Sequence, residues 1–139
     1  MNVQPYISFE GRAQEAIDFY KSALGATVDM IMHFKDAPPE AQANMSPESK
    51  DKVMHAAFRI GDTQVMASDG FCTGKASFSG VSLTLNAASN DEADTLFKAL
   101  SQGGKVNMPM SETFFANRFG VVADKFGVNW MVIHPKDHG

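Results

Sequence analysis

The residues of this chain whose types can do chemistry are four histidines, one cysteine, one arginine among aromatics and a few carboxylates. His33, His55, His134 and His138 are spread over three strand-like runs and the tail. None stands at the short intervals that put two donors on one ion, so structural or surface roles are expected for all four. Glu112 precedes Phe114-Phe115, where a carboxylate against apolar rings could have a raised pKa and serve as a general base; a turn or surface carboxylate is the commoner use of such a residue. Arg118 could clamp an anion or pair with Asp124, the second being more common, and Asp69 is expected to cap the turn after its strand. Cys72 has no helix start beside it and no basic neighbour closer than Lys75, so an unreactive thiol is expected. Gly70 to Ala76 imitates a phosphate loop but is one residue short and ends in Ala instead of Ser or Thr, which rules it out.

The stretch Ser111 to His134 organises the elements that position these groups. It holds the only tryptophan, and its runs Arg118 to Ala123 and Asn129 to His134 read as strands joined by Asp124-Lys125-Phe126-Gly127, a turn with a starting Asp and a Gly for positive φ. From the beginning, Val3 to Phe9 reads as a strand. Arg12 to Leu24 follows as a helix with an apolar stripe at Ala13, Ala16, Ile17, Tyr20 and Leu24, closed by Gly25, and Ala26 to Phe34 as a second strand. Lys35 to Lys52 reads as structureless, with Pro38-Pro39 and Pro47, and is expected to be a lid, a binding loop or disorder. Val53 to Ile60 and Thr63 to Ser68 form a hairpin around Gly61-Asp62, and Asp69 to Phe78 is a connector.

The second half repeats the first. Glu15 to Lys21 aligns with Glu92 to Lys98, 77 residues later. The second helix carries a capping box at Ser89 and Glu92, an apolar stripe at Ala93, Leu96, Phe97 and Leu100, and a stop at Gly103-Gly104. Gly80 to Leu85 matches the first strand. Lys105 to Met110 takes the place of the second strand, with Val106, Met108 and Met110 alternating as Val28, Met30 and Met32 do. Each half therefore reads strand, helix, then three strands.

A chain of 139 residues is expected to be one domain, 1–139, with modules at about 1–70 and 79–139; a domain near this size buries roughly 68% of its unfolded surface, enough for a core without staples. A net charge of −4 offers no basic field, so nucleic acid is not an expected partner. No eighteen apolar residues stand together and no leader pattern opens the chain, so no membrane partner is expected and a cytoplasmic location is. A single cysteine excludes an intrachain disulfide and fits a reducing compartment.

The duplicated unit, with Pro5-Tyr6-Ile7-Ser8-Phe9, Ala16-Ile17-Asp18-Phe19-Tyr20-Lys21, His55-Ala56-x-Phe58-Arg59-Ile60-Gly61-Asp62 and Phe114-Phe115-x-x-Arg118-Phe119-Gly120-x-x-x-Asp124-x-Phe126-Gly127-x-x-Trp130, resembles the PhnB-like branch of the vicinal oxygen chelate superfamily, which includes glyoxalase I, extradiol dioxygenases and bleomycin-binding proteins. The resemblance runs nearly end to end. It implies an α+β fold of two tandem βαβββ modules whose mixed sheets curl around a shared cleft, helices outside, and often a homodimer, which exposed sheet edges also favour. Metal-bearing relatives hold a divalent ion with His, Glu or Gln from the first, fourth, fifth and eighth strands. Aligned on the motifs, those positions are Pro5, Ala67, Gly80 and Met131, none of which can bind such an ion. A slip of one residue would give Gln4 or Tyr6, Met66 or Ser68, Ser79 or Val81, and Trp130 or Val132. His55, in the His-Ala-x-Phe pattern, is expected to make a structural hydrogen bond beside Ser68. Members of the branch are also described as methyltransferase-like, yet no glycine-rich loop here follows a strand and opens a helix, as a methyl-donor nucleotide would want.

The expected function is therefore metal-free binding of a small organic molecule, with no cofactor. The expected ligand-binding residues are Ala67 and Gly80, which leave space, Ser82, Thr84 and Asn129, which orient a polar group, and Phe115 and Met131; paired methionines supply a soft lining, unless they only fill the core. The alternatives are a lyase, isomerase or dioxygenase with a displaced metal or with Glu112 as its base, and a dimeric interaction module.

Overall fold

The computed structural model describes residues 1–42 and 47–136; His138 lies outside them. The chain divides into two compact units, Met1–Ala76 and Ser77–Gly139. The first contains β1 (Tyr6–Ser8), α1 (Ala13–Leu24), β2 (Thr27–His33), a short helix α2 (Pro39–Gln42), β3 (Val53–Ile60) and β4 (Thr63–Ser68). The second contains β5 (Leu83–Asn86), α3 (Asn90–Leu100), β6 (Lys105–Ser111), β7 (Ala116–Ala123) and β8 (Asn129–Pro135). Each unit builds a mixed four-stranded sheet, in the orders β1-β4-β3-β2 and β5-β8-β7-β6. In each, the first strand runs parallel to the last and the other pairings are antiparallel. The duplicated order of strand, helix and three strands is thus present in full.

In the first unit α1 packs on β2 and β3. Tyr20 stacks on Phe58 with ring centroids 6.0 Å apart. Phe58, Val65, Ala56 and Ala67 share that covered face by strand alternation and register, and all four are at most 2% exposed. In the second unit α3 packs on β7 and β8, covering Val122, Trp130 and Val132. Gly120 belongs to this face: a Cβ there would run into Met110 and the Phe97 ring. Gly25 closes α1 in the left-handed region at φ 68°, where a side chain would be strained.

A β-bulge interrupts the alternation at the same place in both sheets. Register shifts between Val28 and Met30 and again between Val106 and Met108. Val28 and Val106 therefore pair with the covered residues Phe58 and Val122, whereas Met30 and Met108 pair with Ala57 and Val121 on the opposite faces. The expected single-faced runs Val28-Met30-Met32 and Val106-Met108-Met110 are corrected accordingly. A second irregularity between Met108 and Ser111 turns Met110 back over Gly120.

Two other expectations change. The first strand is shorter than Val3 to Phe9, and β5 begins at Leu83, leaving Gly80, at φ 80°, and Ser82 in the connector. The segment Lys35 to Lys52 is not structureless where it is described. It opens with a 3-10 turn, Phe34–Asp36, closed by the His33 amide donating to Asp36 Oδ2 at 2.9 Å. Its base is laddered by the Phe34 amide on the Lys52 carbonyl and the Lys35 amide on the Lys50 carbonyl, both 3.0 Å. Residues 43–46 lie outside the described part.

Candidate functional site

Three buried or half-buried carboxylates build the framework around the candidate faces. Asp69 is 1% exposed. Its Oδ1 accepts from the amides of Gly11 and Ala13, and its Oδ2 from the amide of Val53, each at 2.8 Å. It therefore caps α1, where Arg12 at the N-cap position supplies no side-chain bond, and does not merely close its own turn. Asp124 accepts from the Phe126 and Val128 amides and, through Oδ2, from Trp130 Nε1 at 2.9 Å. Glu10, with φ 52°, accepts from Ser8 Oγ and from the amides of Phe71 and Thr73 at 2.9, 3.1 and 3.0 Å, fastening the 70–74 loop to the start of α1.

The Thr73 amide, with further help from Ser8 and Phe71 and against some desolvation, holds the Glu10 carboxyl below its ordinary 4.5. A depressed folded pKa contributes stability that is present above the unfolded value and lost as pH falls through the folded one. Protection of the Phe71 and Thr73 amides from hydrogen exchange should therefore be steady above pH 4.5 and decline below it. Glu10→Gln should flatten that decline; an unchanged profile in the variant would dismiss Glu10 as its source.

The residues singled out by sequence separate into two groups. Met131, Thr84 and Phe115 come together on the face of the second sheet away from α3. Thr84 and Met131 are register partners, and Met131 pairs with Val121. One row along, Phe119 pairs with Ile133, and the Phe115 ring meets Phe119 edge-on at 5.2 Å. Phe114, edge-on to Phe115 at 5.1 Å, is 90% exposed. Within that unit Gly80, Ser82 and Asn129 do not join them, and Ala67 belongs to the first unit. Ala67 is fully buried on the α1 face, and its neighbour Met66 takes the place equivalent to Met131, a shift of one residue that exchanges the faces. Gly80 and Ser82 precede β5. Asn129 Nδ2 is committed to the carbonyls of Phe78 and Val81 at 3.1 and 3.4 Å.

Glu112 lacks the desolvation that a base in this position would need: its side chain is 66% exposed and lies 3.8 Å from Lys136 Nζ. Arg118 pairs with Asp94 on α3 at 3.4 Å, not with Asp124. His33 Nε2 is 3.2 Å from Gln14 Oε1 and His134 Nδ1 is 2.8 Å from Asn90 Oδ1, so each is tied to the helix of its own unit. Burial pushes the Cys72 thiol up, in keeping with an unreactive cysteine.

Sequence reading missed one pair. On the face of the first sheet away from α1, the Tyr6 hydroxyl lies 3.3 Å from His55 Nδ1, with ring centroids 5.7 Å apart. The signal available was the alternation Tyr6 against Ile7 and His55 against Ala56, usable only once the register of β1 on β4 is known. In that register Tyr6, Met66, Ala57 and Met30 form one row across four strands. Thr84, Met131, Val121 and Met108 form the matching row of the second sheet.

These faces do not fit a catalytic divalent ion. The first sheet presents Tyr6 and Met66 and the second Thr84 and Met131, namely a phenol, a hydroxyl and two thioethers, none of them a nitrogen or carboxylate donor. Among the described residues no three His, Cys, Asp or Glu side chains are grouped to hold a metal. Among the described residues, too, no helix is long and apolar enough to cross a membrane.

Two mixed sheets of strand-helix-strand-strand-strand units define a protein of the glyoxalase/bleomycin resistance fold. A glyoxalase-related enzyme from Fulvimarina pelagi shares that fold with a TM-score of 0.63 at 13% identity, over 96% of this chain and 88% of that one. More specifically, residues 1–133 match the family model described as 3-demethylubiquinone-9 3-methyltransferase, and the chain belongs to this PhnB-like family. Protein YjdN of Escherichia coli is 38% identical over 138 residues, 95% of this chain and 94% of YjdN. Protein PA1353 from Pseudomonas aeruginosa superposes with a TM-score of 0.84 at 38% identity, over 99% of each chain. A putative 3-demethylubiquinone-9 3-methyltransferase, PhnB protein, from Bacillus cereus superposes with a TM-score of 0.79 at 26% identity, over 96% of this chain and 99% of that one.

Proposed function

We propose that this chain is a metal-free small-molecule-binding protein that holds an organic ligand on the apolar sheet faces turned away from its helices. The observation that carries the reading is the repeated row, in which Met66 and Met30 of one sheet correspond to Met131 and Met108 of the other. Thioethers at duplicated positions suit a soft, adaptable ligand surface and are poor donors for hard or borderline cations. The residues offer no support for methyl transfer. α1 is entered through Glu10-Gly11-Arg12 and α3 through Ala87-Ala88-Ser89, and neither entry is a glycine-rich cradle for a nucleotide.

Elemental analysis of protein purified without chelator should show no stoichiometric Zn, Ni, Mn or Fe, and adding these ions should not raise the melting temperature beyond scatter. An ion at 100 times its dissociation constant would add about 2.7 kcal/mol, an effect easily seen. Native mass spectrometry of the same preparation, or a thermal screen of organic compounds, should reveal a bound organic molecule. A stoichiometric ion whose loss follows substitution of residues on these faces would overturn the reading.

A further inference from the structure

We propose that the Tyr6–His55 pair is the recognition site for a neutral, planar aromatic compound bearing a carbonyl-type acceptor. The proposal rests on the small-molecule reading above and names the class of ligand. The floor comes first. Tyr6, Met66, Ala57 and Met30 lie side by side in register across the sheet, a width of about 14 Å for three strand spacings. Met32 adjoins as the partner of His55. The centre of the row is the Ala57 methyl between two thioethers, only 7% exposed, so a guest reaches it as the methionines shift. Sulfur makes favourable contacts with ring edges, and unbranched methionines move aside for a flat guest. Tyr6, 52% exposed, leaves the row open at its β1 end.

The polar group is set by chemistry. A phenol O–H is more acidic than an imidazole N–H, and imidazole nitrogen is the better acceptor, so the Tyr6 hydroxyl donates to His55 Nδ1. This assigns the proton of the neutral ring to Nε2. Among the described residues His55 has no hydrogen-bond partner other than Tyr6, whereas His33 and His134 are each engaged by a helix. The half-exposed Nε2–H beside an apolar floor gives a ligand acceptor a place to bond. Charge selects further. The ionic group along this sheet, Asp29 with Arg59, is closed upon itself, since Asp29 Oδ2 accepts from Arg59 Nε and Gln64 Nε2, each at 3.1 Å. No free charge is left in the row to favour an ion, so a neutral ligand fits.

Coumarin, a planar aromatic lactone, and naphthalene, its counterpart in size without an acceptor, are suitable probes for the full chain carrying labelled methionine methyls and histidine rings. Coumarin should shift the Met30 and Met66 methyl signals and the His55 ring signals. His55→Phe should weaken coumarin about tenfold or more and leave naphthalene unchanged. His55→Gln, which restores an N–H donor, should recover part of the loss and guards against a misfolded Phe variant. The inference is overturned if coumarin leaves those methyls unmoved, shifts Met108 and Met131 instead, or binds His55→Phe as it binds the parent. Retention of another organic molecule in native mass spectrometry would, in each of those cases, leave the broader small-molecule reading standing.

Discussion

Trp130→Ala is expected to cost about 4–8 kcal/mol, an amount comparable to the whole stability of a domain with roughly 5–15 kcal/mol in hand. Trp130 is the largest of the fully buried side chains, at 2% exposure, and stands in register with Leu83 and Val122 beneath α3. Removing it leaves a cavity that its neighbours fill only in part, which alone costs about 3–5 kcal/mol for a large aromatic. It also withdraws the Nε1 donor from Asp124 Oδ2, a buried carboxylate oxygen whose lost partner adds about 1–3 kcal/mol. Urea unfolding should show little native protein at room temperature. Trp130→Phe, which keeps most of the ring volume, should be clearly milder. A loss under about 2 kcal/mol for the alanine variant would mean that the Asp124 turn does not depend on the indole.

The second large effect is expected at Asp69. Replacement by alanine strips one acceptor each from the amides of Gly11, Ala13 and Val53, and backbone donors left without partners away from water are costly. A loss of about 3–5 kcal/mol is expected. Asp69→Asn should fall between, because its NH2 must face one of the amides it replaces as acceptor. Hydrogen exchange should show the first turn of α1 and the start of β3 losing protection first. Uniform destabilisation with the α1 start still protected would remove Asp69 from its capping role.

The fold was legible because the signals that define it are local and repeated. The α1 stripe with Gly25, the Ser89 cap of α3, the Asp124 to Gly127 turn and the 77-residue repeat each name an element without outside help. Even here the details shift. Ser89 Oγ accepts from the Glu92 amide at 3.0 Å, while the Glu92 carboxylate reaches the Ala88 amide at 3.3 Å, one residue short of the reciprocal bond of a capping box. The candidate site was less legible because it depends on parity. A one-residue shift on β4 sends Ala67 under α1 and lifts Met66 to the opposite face. The bulges do the same on β2 and β6, separating Val28 from Met30 and Val106 from Met108. Neither shift leaves a mark in composition or periodicity, since both follow from pairing with a strand remote in sequence. The Tyr6–His55 pair, 49 residues apart, was invisible for the same reason.

Asp69 also sets an order of events for the newly made chain. The cap of α3 comes from Ser89, immediately before the helix it serves, so that helix carries its own start wherever it forms. The cap of α1 comes from a residue 56 positions beyond Ala13. Until the β3–β4 hairpin has been synthesised and has closed that long loop, the amides at the start of α1 have no side chain to satisfy them. The two halves share one architecture but cap their helices differently: the second draws its cap from the residue just before the helix, and the first gains its cap only once its own last strand is in place.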